Sequence, residues 1–218
     1  MDPDRLGRNV PRWSERSRRR YSPLSELAAL AAFSFISAVT PGPNNVMLWA
    51  SGVQFGFRPT IRHIIGIALG VGSMALLVAA GLGVLITTVP VLEFGLKVIG
   101  SAFLLYLAFQ IAGGGSATQK EVAKPLTMGQ AMVFQYVNPK AWVFVLAAVT
   151  TFRPPEMNVV LGTVLMASTI MVVVIPCASL WAGAGTVLNR YLADQRRSRW
   201  FGIAMGVLLA ATVFYIWL

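Results

Sequence analysis

The chain has 218 residues, 56% of them hydrophobic and 12% charged, and a net charge of +10. A soluble domain carries about 25% charged residues, and a chain this short cannot hide so much apolar side chain in one aqueous core. One cysteine, Cys177, and one histidine, His63, exclude a disulfide framework, a cysteine metal site and a HExxH metalloprotease motif.

Residues 1–23 form a basic extension holding Arg5, Arg8, Arg12, Arg16, Arg18, Arg19 and Arg20. So short a stretch has too little apolar surface to fold and is expected to be disordered. Its charge would suit anionic headgroups beside a span, and nucleic acid is not expected as a partner. Ser17-Arg18-Arg19-Arg20-Tyr21 is similar to a twin-arginine signal, but the apolar run behind it continues through Phe57, longer than a signal h-region.

From Leu24 the charges thin out. None occurs over 27–57, 64–92, 98–119, 157–189 or 200–218, and 125–152 holds only Lys140. A spanning helix needs about 20 mostly apolar residues, so each run supplies one. The expected fold is an all-α integral membrane protein of about six spans. The first starts near Leu24 and meets Pro41-Gly42-Pro43. The second covers His63 to Thr88. The third, Phe94 to Ala112, ends in Gly113-Gly114-Gly115-Ser116. The fourth, Leu126 to Phe152, contains Asn138-Pro139-Lys140. The fifth, Met157 to Val187, contains Pro176, and the sixth is Trp200 to Leu218.

The first and fourth spans are therefore broken at matching places about half a chain apart. Gly100-Ser101-Ala102-Phe103-Leu104-Leu105 and Gly206-Val207-Leu208-Leu209 are also alike. These traces suggest two repeats, residues 24–112 and 126–218, within one membrane domain, residues 24–218. Three crossings per repeat would invert the second relative to the first, as in many secondary transporters. Orientation stays open. The basic gaps (Arg58 and Arg62; Lys120 and Lys124; Arg190 and Arg196 to Arg199) share one side in a six-span arrangement, and the basic tail pulls the other way.

The two breaks are the candidate site. Proline removes an intrahelical hydrogen bond, and backbone groups freed inside a bilayer must find partners or line a cavity. Past Pro41, Gly42 and Pro43 the helix restarts with unpaired N–H groups, which suit a carboxylate, while Asn44 and Asn45 add donors and acceptors. A proline kink serving only helix packing is the competing reading. At the second break Asn138 and Pro139 precede Lys140, an ionisable residue roughly 14 residues, or about 21 Å of helical rise, into its span. Lys140 suits an anionic group or balances a carboxylate elsewhere, and Gln135 lies one turn before. Gly66, Gly70, Gly81, Gly202 and Gly206 are expected to allow close helix packing. Trp142, Trp181, Trp200, Trp217 and Tyr191 are read as interface or filling residues, His63 as interfacial beside Arg62 with a proton role as the competing reading, and Arg196-Arg197-Ser198-Arg199 as a headgroup-facing loop. No paired carboxylates or phosphate loop fall in a span, so no catalytic residue, metal or cofactor is expected.

Ala38-Val39-Thr40-Pro41-Gly42-Pro43-Asn44-Asn45, with Ser51-Gly52 and Gly56-Phe57-Arg58, resembles the first motif of the LysE/RhtB family of amino-acid exporters. Asn138-Pro139-Lys140-Ala141-Trp142 resembles the second. The resemblance covers about Leu24 to Leu218. It implies a secondary exporter of amino acids or their derivatives in a bacterial cytoplasmic membrane, driven by the proton gradient. It leaves a homo-oligomer open. Many relatives carry aspartate directly after Pro-Gly-Pro, where this chain has Asn44.

Overall fold

The computed structural model describes residues 22–83, 88–113, 125–152, 157–188 and 195–217. The basic extension up to Tyr21, the Gly114 to Lys124 connection and Tyr191 lie outside them. The described residues form helices and short joints: α1 (Pro23–Val39), α2 (Pro43–Phe55), α3 (Phe57–Leu77), α4 (Pro90–Gly113), α5 (Met128–Val137), α6 (Pro139–Thr151), α7 (Val159–Leu188) and α8 (Gln195–Trp217). The expected all-α membrane fold is the one seen. By length and composition three helices can cross a membrane: Phe57–Leu82, Phe94–Ala112 and Val159–Leu188. The number rises to five if each of the two bent pairs is one crossing. The apolar part of α8, Arg199–Phe214, is shorter.

Local sequence sets the boundaries. Ser22 caps α1 by accepting from Ser25 N–H, with Pro23 at the first helical position. Pro41 and Pro43 stop α1 and bend it 59° from α2. Between α2 and α3 the joint is Gly56, at φ 82°, a left-handed conformation that glycine adopts without a Cβ penalty. Thr127 and Gln130 form a reciprocal capping box at the start of α5. Pro139 ends α5 and starts α6 at a 75° bend. Pro176, by contrast, stays inside the continuous α7.

Three sequence expectations need correction. α3 begins at Phe57, not at His63, so His63 is already inside the helix and only 1% exposed. Arg196, Arg197 and Arg199 lie in the first turns of α8, not in a loop. A Cβ added to Gly81 would meet nothing within 4 Å among the described residues. This glycine stands at φ 111° in the π-helical turn Val78–Leu82, where α3 loses its regular winding.

Long helices α3 and α7 pack on each other and form the centre. Each also carries the first half of the other broken pair: α1 lies along α7, and α5 lies along α3. The outer helices α4 and α8 pair together. Where helices approach closely, glycine makes room. A Cβ on Gly66 would strike the Met128 carbonyl, one on Gly52 the Ala182 carbonyl, and one on Gly185 the Trp49 carbonyl. A Cβ on Gly202 would lie 2.7 Å from the Ile111 carbonyl oxygen, and one on Gly206 2.6 Å from that of Ala108. The buried apolar core spans α3, α6 and α7, with Leu30 and Leu48. A second cluster joins Val46 and Met47 to Leu104, Phe134, Met205 and Leu209. The periphery is also apolar: Phe109 is 79% exposed and Val143 70%. In water that surface would be a liability, whereas lipid tails solvate it.

Candidate functional site

At the first break nearly every carbonyl freed by proline has a named donor. Pro41 has no N–H for Ser37 O, and the Thr40 hydroxyl donates there instead at 2.8 Å. Asn45 Nδ2 donates back to Ala38 O at 2.9 Å and Thr40 O at 2.7 Å. Lys140 Nζ crosses from the other break and donates to Thr40 O (2.8 Å), Thr40 Oγ1 (3.0 Å) and Pro41 O (3.2 Å). Val46 N–H closes the first turn of α2 on Gly42 O at 3.0 Å, and no side chain caps that helix. Its leading N–H groups therefore remain available to an anion.

The second break follows the same logic. Pro139 cannot serve Gln135 O, so Asn138 N–H does, at 3.2 Å. The Asn138 side chain accepts from Lys140 N–H at 3.2 Å and caps α6. Trp142 Nε1 donates to Tyr136 O at 2.8 Å, a carbonyl near the bend. The breaks are joined again by a reciprocal amide pair. Asn44 Nδ2 donates to Gln135 Oε1 at 2.8 Å, and Gln135 Nε2 donates to Asn44 Oδ1 at 3.1 Å and to Ala131 O at 2.9 Å.

Gln135 is fully buried, and Asn138 and Asn45 nearly so, with exposures of 2% and 7%. Gly42 lets Lys140 lie close, since a Cβ there would sit 2.8 Å from Lys140 Cδ. Gly70 likewise leaves space for Gln135 Cγ. Between the breaks is a cavity of about 60 Å3, walled by Gly42, Pro43, Asn44, Asn45, Asn138 and Lys140 on the polar side. Leu48, Ile67, Val71, Phe144, Val174 and Ala178 supply its apolar side. One water needs about 10–15 Å3 by comparable measure, so a few waters or part of a small solute fit. Lys140 is the one charged residue in this lining among the described residues.

The structure thus brings Pro41, Gly42, Pro43, Asn44, Gln135, Asn138, Pro139 and Lys140 into one neighbourhood. Asn45 is there too, but its amide donors are committed to the end of α1. Sequence reasoning did not single out Thr40, whose hydroxyl and carbonyl receive Lys140, or Trp142 as the donor that seals a bend. For Thr40 the available signal was a hydroxyl directly before a proline, where a carbonyl must lose its partner.

Polar groups gathered at two mid-helix breaks, around a cavity between long apolar helices, define a membrane translocator. The family comparison agrees. The family model described as LysE type translocator matches residues 35–216, and the chain belongs to that family. It is a multi-pass transport protein, not an enzyme. The chain is similar to a cysteine/O-acetylserine efflux protein of Salmonella paratyphi A, 30% identical over 193 residues, covering 87% of this chain and 94% of the relative. A protein of the same description from Escherichia coli K12 is 28% identical over 191 residues, with coverages of 87% and 94%. No solved structure matches the chain.

Proposed function

We propose that this protein is a secondary exporter of small amino acids or their derivatives across a bacterial cytoplasmic membrane, driven by the proton gradient and working by alternating access. The relatives described as cysteine/O-acetylserine efflux proteins support a small, uncharged-side-chain substrate class. The observation that carries the reading is the clamp of Lys140 Nζ on Thr40 and Pro41 across the cavity. These acceptors are neutral. A substrate carboxylate offers the ammonium a full opposite charge and makes the stronger, charge-assisted bond. Substrate entry would draw Lys140 off the α1 end, loosen the link between the breaks and let the halves rock. The uncapped start of α2 would hold the second carboxylate oxygen, with Asn44, Gln135 and Asn138 around the rest. In this scheme α8 completes six crossings, and residues 24–112 and 126–218 act as inverted repeats within one domain. The mutual cradling of α1 by α7 and α5 by α3 supports that relation.

The test is efflux of labelled cysteine and O-acetylserine from loaded vesicles, with Asn44→Ala and Lys140→Ala beside the unaltered protein. Unchanged rates in both variants would remove the site assignment. A further expectation concerns charge. Asn44→Asp places a carboxylate against the Gln135 amide oxygen and near the substrate carboxylate. Efflux of a zwitterion should fall about tenfold, a penalty of ~1.4 kcal/mol, while competition by lysine added with the substrate should rise. Equal inhibition by lysine in both proteins would count against a carboxylate bound beside Asn44.

A further inference from the structure

His63 is the buried titratable group that the site described above does not use. It is 1% exposed, and neither Nδ1 nor Nε2 has a hydrogen-bond partner among the described residues. Leaving one buried donor or acceptor unpaired costs about 1–3 kcal/mol, so native structures rarely do it without a reason. An ionisable residue inside a span points to function by default.

Its place on α3 supplies the reason. Ile67, one turn further along, lines the cavity. Gly70, two turns along on the same face, packs on Gln135, half of the amide pair that joins the breaks. The ring therefore lies about 10 Å along α3 from that pair, at 1.5 Å per residue. In the other direction, one turn back, Thr60 is fully buried. Its hydroxyl donates to Gly56 O at 2.8 Å and lies 2.8 Å from the Ser51 hydroxyl. Buried hydroxyls, an unpaired imidazole and the polar cavity thus follow one another along the inner face of one helix.

The other titratable groups on elements packed against α3 are engaged or unsuited. Tyr136 on α5 shares a 2.8 Å hydrogen bond with Ser73. Lys140 on α6 is committed to Thr40 and Pro41. Cys177 on α7 is a buried thiol, and α2 carries no titratable side chain. Arg58 and Arg62, on α3 itself, are exposed. Imidazole is the side chain whose ordinary chemistry exchanges protons near neutral pH.

We propose that His63 carries the coupling proton, binding it in one access state and releasing it in the other; this rests on the export reading. Opening of the packing around α3 admits water from the side of higher proton activity. The ring nitrogen that lacks hydrogen takes up a proton, one N–H bond forms and an imidazolium results. Return to the opposite access state breaks that N–H bond and delivers the proton to water on the other side. One proton crosses per cycle and no electrons are transferred.

The test uses the full chain in liposomes, with labelled cysteine kept reduced. Two quantities are read: exchange at equal pH on both sides, and accumulation driven by an imposed gradient. For one-to-one exchange the unaltered protein should accumulate substrate up to about tenfold per pH unit. In His63→Gln, which hydrogen-bonds but does not titrate, accumulation should fall to onefold while exchange stays within about twofold of the unaltered protein. His63→Phe should likewise lose accumulation. Gradient-driven accumulation persisting in His63→Gln would overturn the proposal, because the ring would then be only a filling or water-binding group. Loss of exchange together with accumulation would also overturn it, by making His63 a packing residue. An unaltered protein that exchanges cysteine without responding to the gradient would refute the coupling role and the proton drive, and leave only the substrate class and the site standing. No exchange in the unaltered protein would remove both.

Discussion

Lys140→Met is expected to slow export of labelled cysteine from vesicles about 100-fold, roughly 3 kcal/mol, at matched protein content. Methionine matches the unbranched apolar stem of lysine out to its fourth atom and lacks the terminal ammonium, with its charge and donors. Three oxygens on the first break then lose the ammonium, with Thr40 O keeping only Asn45 Nδ2, and the cavity loses the one cation in its lining among the described residues. Both the resting clamp and the carboxylate contact disappear together. Lys140→Arg should recover only part of the rate. The larger guanidinium must share the space kept by Gly42, where a Cβ would already lie 3.0 Å from Nζ. A methionine variant within threefold of the unaltered protein would show that the ammonium is dispensable to transport.

The second large effect concerns stability. Gly52→Val should cost about 3 kcal/mol or more, at the upper end of overpacking penalties. Its Cβ would run into the Ala182 carbonyl and lie 3.1 Å from the Thr186 nitrogen, backbone that cannot swing aside. Gly185 faces the Trp49 carbonyl in the same interface, so α2 and α7 are held together by two such approaches. Heating in detergent followed by size-exclusion chromatography should show the variant lost at a clearly lower temperature. Gly183→Ala, where an added Cβ meets nothing within 4 Å, should stay within about 1 kcal/mol. Equal heat resistance of Gly52→Val and Gly183→Ala would refute the interlock.

These two expectations differ in how far the sequence alone supports them. Lys140 stood out because a lone charge in an apolar run needs a reason. The prolines stood out because they lack an N–H and so must break a helix wherever they interrupt one. Those are local facts. What remained hidden was long-range. Nothing near Asn44 says that its amide will meet Gln135, and nothing near Trp142 says that its ring N–H will reach the Tyr136 carbonyl. The neighbouring charges Arg58 and Arg62 pointed to a span edge and gave no sign that His63 would be buried. The helix starts at Phe57, and its two arginines lie on the exposed side while His63 turns inward. Arg196 to Arg199 misled in the opposite way, since charge density is compatible with a loop or with the opening turns of a helix. Gly81 was grouped with the packing glycines although it completes no GxxxG spacing, and its backbone dihedral serves the turn.

The crossed support of the half-helices also bears on biosynthesis. α1 is made well before the long helix it lies along, α7. Through most of translation the inner side of α1, with the fully buried Leu30 and Ser34, has no native partner and must be sheltered by lipid or by the insertion machinery. A nascent chain halted before Val159 should therefore be inserted without being assembled. Independently synthesised front and rear portions should complete one another within the bilayer, because each brings the surface that the other lacks.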